Sequence, residues 1–497
     1  MRKLFTLFLL LATPAFANHL LIPMDEAQTN HLKAYGVTFQ TLKHRVPVYW
    51  LLNYRGGSFL LPERTELAGD LRQRQVAFEV LTDEQAKRLR TSLDNDGPET
   101  TALLLSRAPR IALYQVKGNV TGNIVESVLS YAEIPFEEIR QEDVLEGKLD
   151  QYDWVHVHHE DFTGQHGKFH LSFKDQPWYK TQYDEDQAIA SQYGFANTPQ
   201  LKGAVARRIR NFCQKGGFLF AMCAGTDTYD IALATEGLDV HDVMYDGDSM
   251  NTADFDRLDF TQTFAFQNFQ ISQDWREYEF STIDHVMMER RVSEKNDTFQ
   301  LHQFSAQLQP VAAMLTQNHQ RFIKGFMGQT TAFKKTLIKP EVTVLAEPTS
   351  VEEARMIYGN YGQGHWVFLG GHDPEDYQHL VGDPDTDISQ HPNSPGYRLI
   401  LNNVLLASSN LVDISGTLTA YPNPAADQLH LTFSEEQTGD WHLRILDSMG
   451  KNWHKAEFER HEATQPIDLT VANLPAGIYF VEISQGRYRA TQKVIKQ

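Results

Sequence analysis

Cysteine is almost missing from this chain: its 497 residues contain two, Cys213 and Cys223. Two cysteines cannot build the disulfide framework on which many exported domains depend. Positive charge is also short, with 45 Lys and Arg against 64 Asp and Glu, a formal net charge of -19. That deficit excludes nucleic acid and anionic membrane as expected partners, because both reward clustered Lys and Arg. Long apolar runs are lacking too. None reaches the roughly 18 residues that a membrane helix needs, so no membrane span is expected.

What is present begins with "MRKLFTLFLLLATPAFA". Arg2 and Lys3, the apolar run Leu4 to Leu11 and Ala15-Phe16-Ala17 match the charged, apolar and cleavage regions of a secretory signal. Residues 1–17 are therefore expected to be a signal peptide, with Asn18 opening a secreted or cell-surface protein. About 480 residues then remain, enough for two to four domains of roughly 100–200 residues. Hydrophobic residues make up 41% of the chain, enough for substantial cores.

Residues 18–105 alternate strand-like and helix-like patches and read as an N-terminal α/β unit, with Thr82 as an N-cap. It carries no chemical motif. "DNDGPETT" reads as a linker. From "RIALYQV" to "SPGYRLILNNVLLAS", about residues 106–410, the alternation implies a parallel sheet with helices on both faces. "YDWVHVHHE" and "FLFAM" are two of its strands. Between them lies an aromatic, charged insertion (161–198), then a helix with Thr198 as N-cap and Pro199 in its first turn. "PVAAMLTQ", "EVTVLAE", "ARMIYGNYG" and "HWVFLGG" read as strands, the last two as a hairpin around Gly362 and Gly364.

The final stretch, 418–497, is a run of short alternating strands separated by turn residues, the pattern of a small β-sandwich. Tyr421-Pro422-Asn423-Pro424, "LPAGIY" at Leu474 to Tyr479 and the basic end Lys493 to Lys496 resemble the C-terminal sorting domain of the type IX secretion system. The resemblance implies the type IX secretion machinery as a partner and an extracellular or cell-surface destination.

Chemistry is concentrated at two places. Cys223 stands where "FLFAM" turns into a helix. A bridge to Cys213 is not expected: if Gly217 to Met222 is a strand it alone covers about 20 Å, and bridged Cα atoms lie within about 7 Å. Cys213 then reads as packing. Two readings of Cys223 stand open. In one it is a buried structural residue. In the other it is a nucleophile on a tight elbow, lined by small Ala221, Ala224 and Gly225, with the following helix N-terminus favouring a thiolate and an oxyanion. The second reading needs a base. His372 also follows an apolar strand and would reach the same carboxyl edge of a parallel sheet, with Glu375 or Asp373 orienting it.

Strand, small-x-Cys-x-Gly, helix, then strand-His-x-Pro-Glu and a terminal helix resemble the class I glutamine amidotransferase-like fold. "FLGGHDPEDY…SPGYRLILNNVLLAS" is especially similar to its trehalose-utilisation (ThuA-like) branch. The implied fold class is α/β: a parallel-sheet, flavodoxin-like core plus the N-terminal unit and the C-terminal sandwich. The pattern departs from true amidotransferases at Ala221, where they carry Gly, and at Glu375, one residue further from the histidine than in His-x-Glu. "HLLIPMDEAQ", "LLNYRGGSFLLP" and "GHDPEDYQH" also resemble an exported group named asparagine synthetase B-like. The residues do not fit that chemistry, for there is no Ser-Gly-Gly-x-Asp-Ser ATP loop and no cysteine at position 18.

The second place is "HVHHEDFTGQHGKFH". On a strand, His156 and His158 share one face and His159 takes the other. His156, His158 and Asp161 form the candidate set for a divalent metal; no other cofactor is expected. His158, His159, Glu160 and Asp161 are expected to rim the same cleft as Cys223 and Gly225. Two functions follow as expectations: a Cys-His hydrolase of an amide or acyl bond, or a non-catalytic or metal-assisted carbohydrate-binding protein. The substrate is accordingly a small molecule, a glycan or a peptide.

Overall fold

The computed structural model describes residues 18–497 apart from 65, 96, 116–121, 286, 291, 350, 410–411, 414–416, 434–438, 448–450, 461–465 and 486–487. The expected signal peptide lies outside the described residues.

The N-terminal residues form strands β1 (Asn18–Ile22), β2 (Val48–Leu52), β3 (Ser58–Pro62), β4 (Glu79–Thr82) and β5 (Thr101–Leu105). They pair in the order β4-β1-β3-β2-β5, antiparallel throughout. "DNDGPETT" is therefore not a linker between domains. It joins the Asp83–Asn95 helix to β5 inside this sheet. The N-cap at Thr82 is present: its Oγ1 accepts from Gln85 N while Gln85 Oε1 accepts from Thr82 N, a reciprocal capping pair.

Among the described residues the central sheet has nine strands. Five are parallel: β6 (Ile111–Tyr114), β7 (Glu137–Ile139), β8 (Trp154–Val157), β9 (Phe218–Met222) and, reached after a long excursion, β16 (Gly364–Leu369). The excursion supplies β10 (Thr298–Leu301), β11 (Phe322–Lys324), β13 (Thr343–Glu347) and β15 (Met356–Tyr361), all added antiparallel. Two short strands, β12 (Phe333–Lys334) and β14 (Glu353–Ala354), make a separate ribbon. The central order is β11-β10-β13-β15-β16-β9-β8-β6-β7. β15 and β16 form a hairpin whose Gly362 has φ +60, and a Cβ there would lie 2.6 Å from Gln214 O.

Successive residues of a strand face opposite sides, and the sheet separates two apolar layers accordingly. Phe218, Phe220 and Met222 enter one core with Trp50 and Phe59 of the N-terminal sheet and Tyr397 and Leu401 of the last body helix, Pro395–Ser409. The N-terminal unit thus shares one core with the central sheet. Leu219 and Ala221 face the other layer, against Leu201, Val205 and Ile209 of the Thr198–Gln214 helix.

Two local expectations are corrected. "PVAAML" is a helix, Pro310–Leu315, with Pro in its first turn; a short apolar run has no period of its own, and here its ends decide. The N-cap of the Thr198–Gln214 helix is Asn197, whose side chain accepts from Gln200 N at 3.0 Å; Thr198 is already helical.

After the body, strands Val412–Asp413, Tyr488–Lys496, Gly477–Gln485, Gly439–Asp447 and Asn452–Arg460 make one sheet in that order. Thr419–Tyr421, Gln428–Thr432 and Ile467–Thr470 make a second. Leu429, Trp441, Leu443 and Val481 fill the space between them. On the body side Glu482 of this sandwich accepts from Arg45 at 3.1 Å and from its own Arg444 at 2.8 Å.

Candidate functional site

Strands β8, β9 and β16 lie side by side and parallel, with Val157 opposite Ala221 and Met222 opposite Leu369. Their carboxyl ends therefore release His158 and His159, Cys223, and Gly370-Gly371-His372 at one edge. This is where open α/β sheets place ligand sites.

His158 and His159 do not take opposite faces. β8 ends at Val157 and the chain bends, so strand alternation stops and the two rings stack, with centroids 4.0 Å apart. The His372 ring lies 4.7 Å from His158 and 4.2 Å from His159. One ring nitrogen from each of the three comes within 4.8 Å of the others. His158 Nε2, His159 Nε2 and His372 Nδ1 are buried without a hydrogen-bond partner. Burial, reinforced by the neighbouring rings, holds His159 down to about 3 and His158 and His372 well below the ordinary histidine value. All three rings are thus neutral, the form that ligates metals.

The other two expected metal ligands are not part of this set, although Asp161 lines the same cavity and the His156 ring lies 5.3 Å from that of His158. His156 is buried between Trp154 and Phe220, with Nδ1 3.0 Å from Phe220 O; it belongs to the strand's other face. Asp161 clamps its own loop, accepting from Thr163 N at 2.8 Å and Gly167 N at 2.9 Å. Glu160 accepts from Lys202 at 2.7 Å, and Lys202 also reaches Asp186 at 3.3 Å. Burial pushes the Glu160 carboxyl up to about 7 against the pull of Lys202.

Cys223 has φ 51 and ψ -137, a backbone region that costs a non-glycine residue roughly 1–3 kcal/mol. The Ala224–Ala234 helix starts at the next residue, as a nucleophile elbow requires. Gly225 makes that start fit. Its N–H donates to His158 O at 2.9 Å, and a Cβ would lie 2.7 Å from that oxygen. Gly225 supports the wall of the cavity and does not line it.

The expected triad is not assembled. Glu375 pairs with His391 at 3.2 Å. Asp373 accepts from Tyr397 at 2.9 Å and Thr386 at 2.5 Å, because the turn after His372 aims it at the last body helix. No carboxylate among the described residues hydrogen-bonds the His372 ring, and no hydrogen bond joins that ring to Cys223. Sγ instead accepts from Gln329 N at 3.2 Å, and burial pushes the thiol up to about 11.

Gln329 belongs to a segment that sequence reasoning missed, 326–331. Asp284 accepts from Thr331 N and Ala332 N, His372 N donates to Met327 O, and Gln329 Nε2 donates to Gly167 O. Gly328 is the tightest point: a Cβ there would stand 2.9 Å from Cys223 Sγ and 3.1 Å from His372 N. The only signal was the pair Gly325 and Gly328 in "GFMGQTT". His379, also overlooked, stacks on His372 at 4.5 Å and is held by Asp376 at 3.2 Å.

These residues enclose a cavity of about 460 Å³. His158, His159 and His372 form one part of its wall, with Cys223 and Gln329 beside them. Glu160, Asp186 and Lys202 add charged groups to its lining, and Phe169, Trp178 and Tyr278 add aromatic ones.

A search of curated proteins returned no match. Among solved structures, similarity is weak. A DUF3244 family protein with an immunoglobulin-like β-sandwich from Bacteroides vulgatus is 22% identical over 16% of this chain and 84% of its own, with TM-score 0.14. Dimeric latent PorU from Porphyromonas gingivalis is 14% identical over 16% of this chain and 9% of its own, also with TM-score 0.14. Gan42B, a GH42 β-galactosidase from G. stearothermophilus, is 9% identical over 73% of this chain and 41% of its own, with TM-score 0.24. These scores are too low to establish a common fold. The family match is confined to the end of the chain, where residues 419–497 fit the model described as "Secretion system C-terminal sorting domain". The two-sheet sandwich is therefore a type IX sorting domain, and it directs this protein to the cell surface or beyond.

Proposed function

We propose that the body of this exported protein is an amidotransferase-like domain whose cavity takes a carbohydrate or a similarly polyhydroxylated small molecule. The observation that carries this reading is the cavity's division of labour. Phe169, Trp178 and Tyr278 offer flat apolar surface, while Glu160, Lys202 and Asp186 offer buried charged and polar groups in the same lining. A sugar ring has the same mixed character: apolar C–H faces and a polar hydroxyl edge. A volume of about 460 Å³ lies within the usual range for small-molecule sites. The resemblance to the trehalose-utilisation branch points the same way. Titrating the full chain with a panel of mono- and oligosaccharides, followed by tryptophan fluorescence and calorimetry, is the direct test. Trp178→Ala is expected to weaken binding about tenfold. Absence of binding across the panel, or equal binding by the variant, would remove the proposal.

A second reading, hydrolysis of an amide or acyl bond by Cys223, is favoured by one observation, the strained backbone at the elbow. It requires turnover that vanishes in Cys223→Ser. The unassembled acid partner of His372 and the buried thiol place it second.

A further inference from the structure

We propose that His158, His159 and His372 are the protein ligands of a zinc-type divalent metal in this cavity. The set differs from the one the strand pattern suggests, and it rests on three independent features. The first is convergence: three strand ends meet, and one ring nitrogen of each histidine lies within 4.8 Å of the other two. Tetrahedral zinc with Zn–N bonds of about 2.1 Å needs nitrogens roughly 3.4 Å apart, so a small closing of the rings suffices. The second is orphaned capacity. A nitrogen on each ring is buried without a partner, and buried polar atoms ordinarily have one. His156 Nε2 is buried without a partner too, but His156 is not part of the convergent set. The third is outer support. His158 Nδ1 faces Asn123 Oδ1 at 3.4 Å, the amide oxygen that also caps the Ile124–Ala132 helix. Such a contact fixes the tautomer and leaves Nε2 to the metal.

Imidazole nitrogen donors favour zinc, copper, nickel or iron over magnesium and calcium, which prefer oxygen. Three protein ligands leave a coordination position for water or a substrate hydroxyl, the arrangement of catalytic rather than structural zinc. Cys223 borders the cavity but is not part of the cluster. The inference rests on the proposed cavity being an accessible ligand site, though not on the ligand being a sugar.

The test uses the full chain, freed of metal by chelator dialysis. Calorimetric titration with Zn²⁺ is expected to give one tight equivalent, and Co²⁺ the visible absorption of a tetrahedral nitrogen-rich site. His158→Gln and His372→Gln are expected to lower zinc affinity by more than the roughly 10- to 100-fold that loss of an outer partner costs; His302→Gln, at a histidine that pairs with Glu347 and does not line the cavity, leaves it unchanged. Circular dichroism checks that the variants fold. If they do not, a zinc-dependent rise of the wild-type melting temperature together with the cobalt spectrum supports the site. No zinc uptake by the wild type, or undiminished uptake by folded variants, overturns it. Saccharide titration of metal-free and zinc-loaded protein separates the two proposals: sugar binding without zinc uptake removes only the metal, and zinc uptake without sugar binding removes only the sugar.

Discussion

Cys223 shows how much one residue's surroundings decide. Its backbone is held as a nucleophile's would be, yet its sulfur is buried and the thiol is pushed up to about 11. A thiol with that value gains thiolate about tenfold per pH unit throughout the neutral and mildly alkaline range. Alkylation of Cys223 in the native protein, followed by mass spectrometry, is therefore expected to accelerate steadily from pH 7 to 10. A plateau reached below pH 8 would mean an activated thiolate and would restore the Cys-His reading. Gly225 offers a second test at this scale. In Gly225→Ala the new methyl would meet His158 O at 2.7 Å, and backbone cannot yield as a flexible side chain does. Denaturant unfolding is expected to show a loss of about 2 kcal/mol, in the range of overpacked sites. Zinc uptake should weaken with it, because His158 is displaced.

Among the elements, the segment 326–331 depends on a buried ionic quartet beneath it. Arg290 and Arg355 bind both Asp297 and Glu353, and all four are at most 1% exposed along their side chains. Replacing the quartet as a whole could be neutral, but removing one member leaves a charge uncompensated. Arg355→Met is accordingly expected to destabilise the fold by about 3–5 kcal/mol, measured by urea unfolding. It should also accelerate hydrogen exchange at Gln329. The helix cap is a milder case: Asn197→Ala should cost about 1 kcal/mol.

The strands ending at Met222 and Leu369 were legible in the sequence because each is an apolar run closed by small residues, and that alone brought Cys223 and His372 to one edge. Strand alternation does not place His158 and His159, because the strand ends at Val157. Spacing along "HDPED" does not reveal which way a turn aims its side chains, and Glu375 and Asp373 turn to His391 and Tyr397 instead. The segment 326–331 was invisible because its role comes from a long-range approach, and two glycines are weak evidence of one.

For the whole molecule, buried titratable groups set the dependence of stability on pH. His31, His156 and His159 are held down to about 3, and His241 and His319 to about 4, in each case chiefly by burial. Unfolded, such imidazoles bind protons below about 6.5; folded, they do not until the pH reaches their lowered values. Their contribution to stability is therefore complete above pH 6.5 and is lost as the pH falls towards 3. Glu160 and Asp284, raised to about 7, and Asp230, raised to about 6, act in the opposite direction between about pH 4 and 7. His158 and His372 are also held well below the ordinary value, and the lowered imidazoles then outnumber the raised carboxyls even with Asp227, Asp239 and Asp246 included, so the melting temperature of metal-free protein should fall between pH 7 and 4.5. His31→Gln should flatten that fall. A melting temperature that rose on acidification would contradict the assignment of neutral buried histidines.

Both thiols are unpaired and buried, although the protein is addressed to an oxidising exterior. Its folding therefore asks nothing of disulfide catalysts or of the redox state in which the chain is made. Protein lacking residues 1–17 and produced in a reducing cytosol should match exported protein in yield, melting temperature and mass. Neither preparation should form sulfur-linked dimers on standing in air.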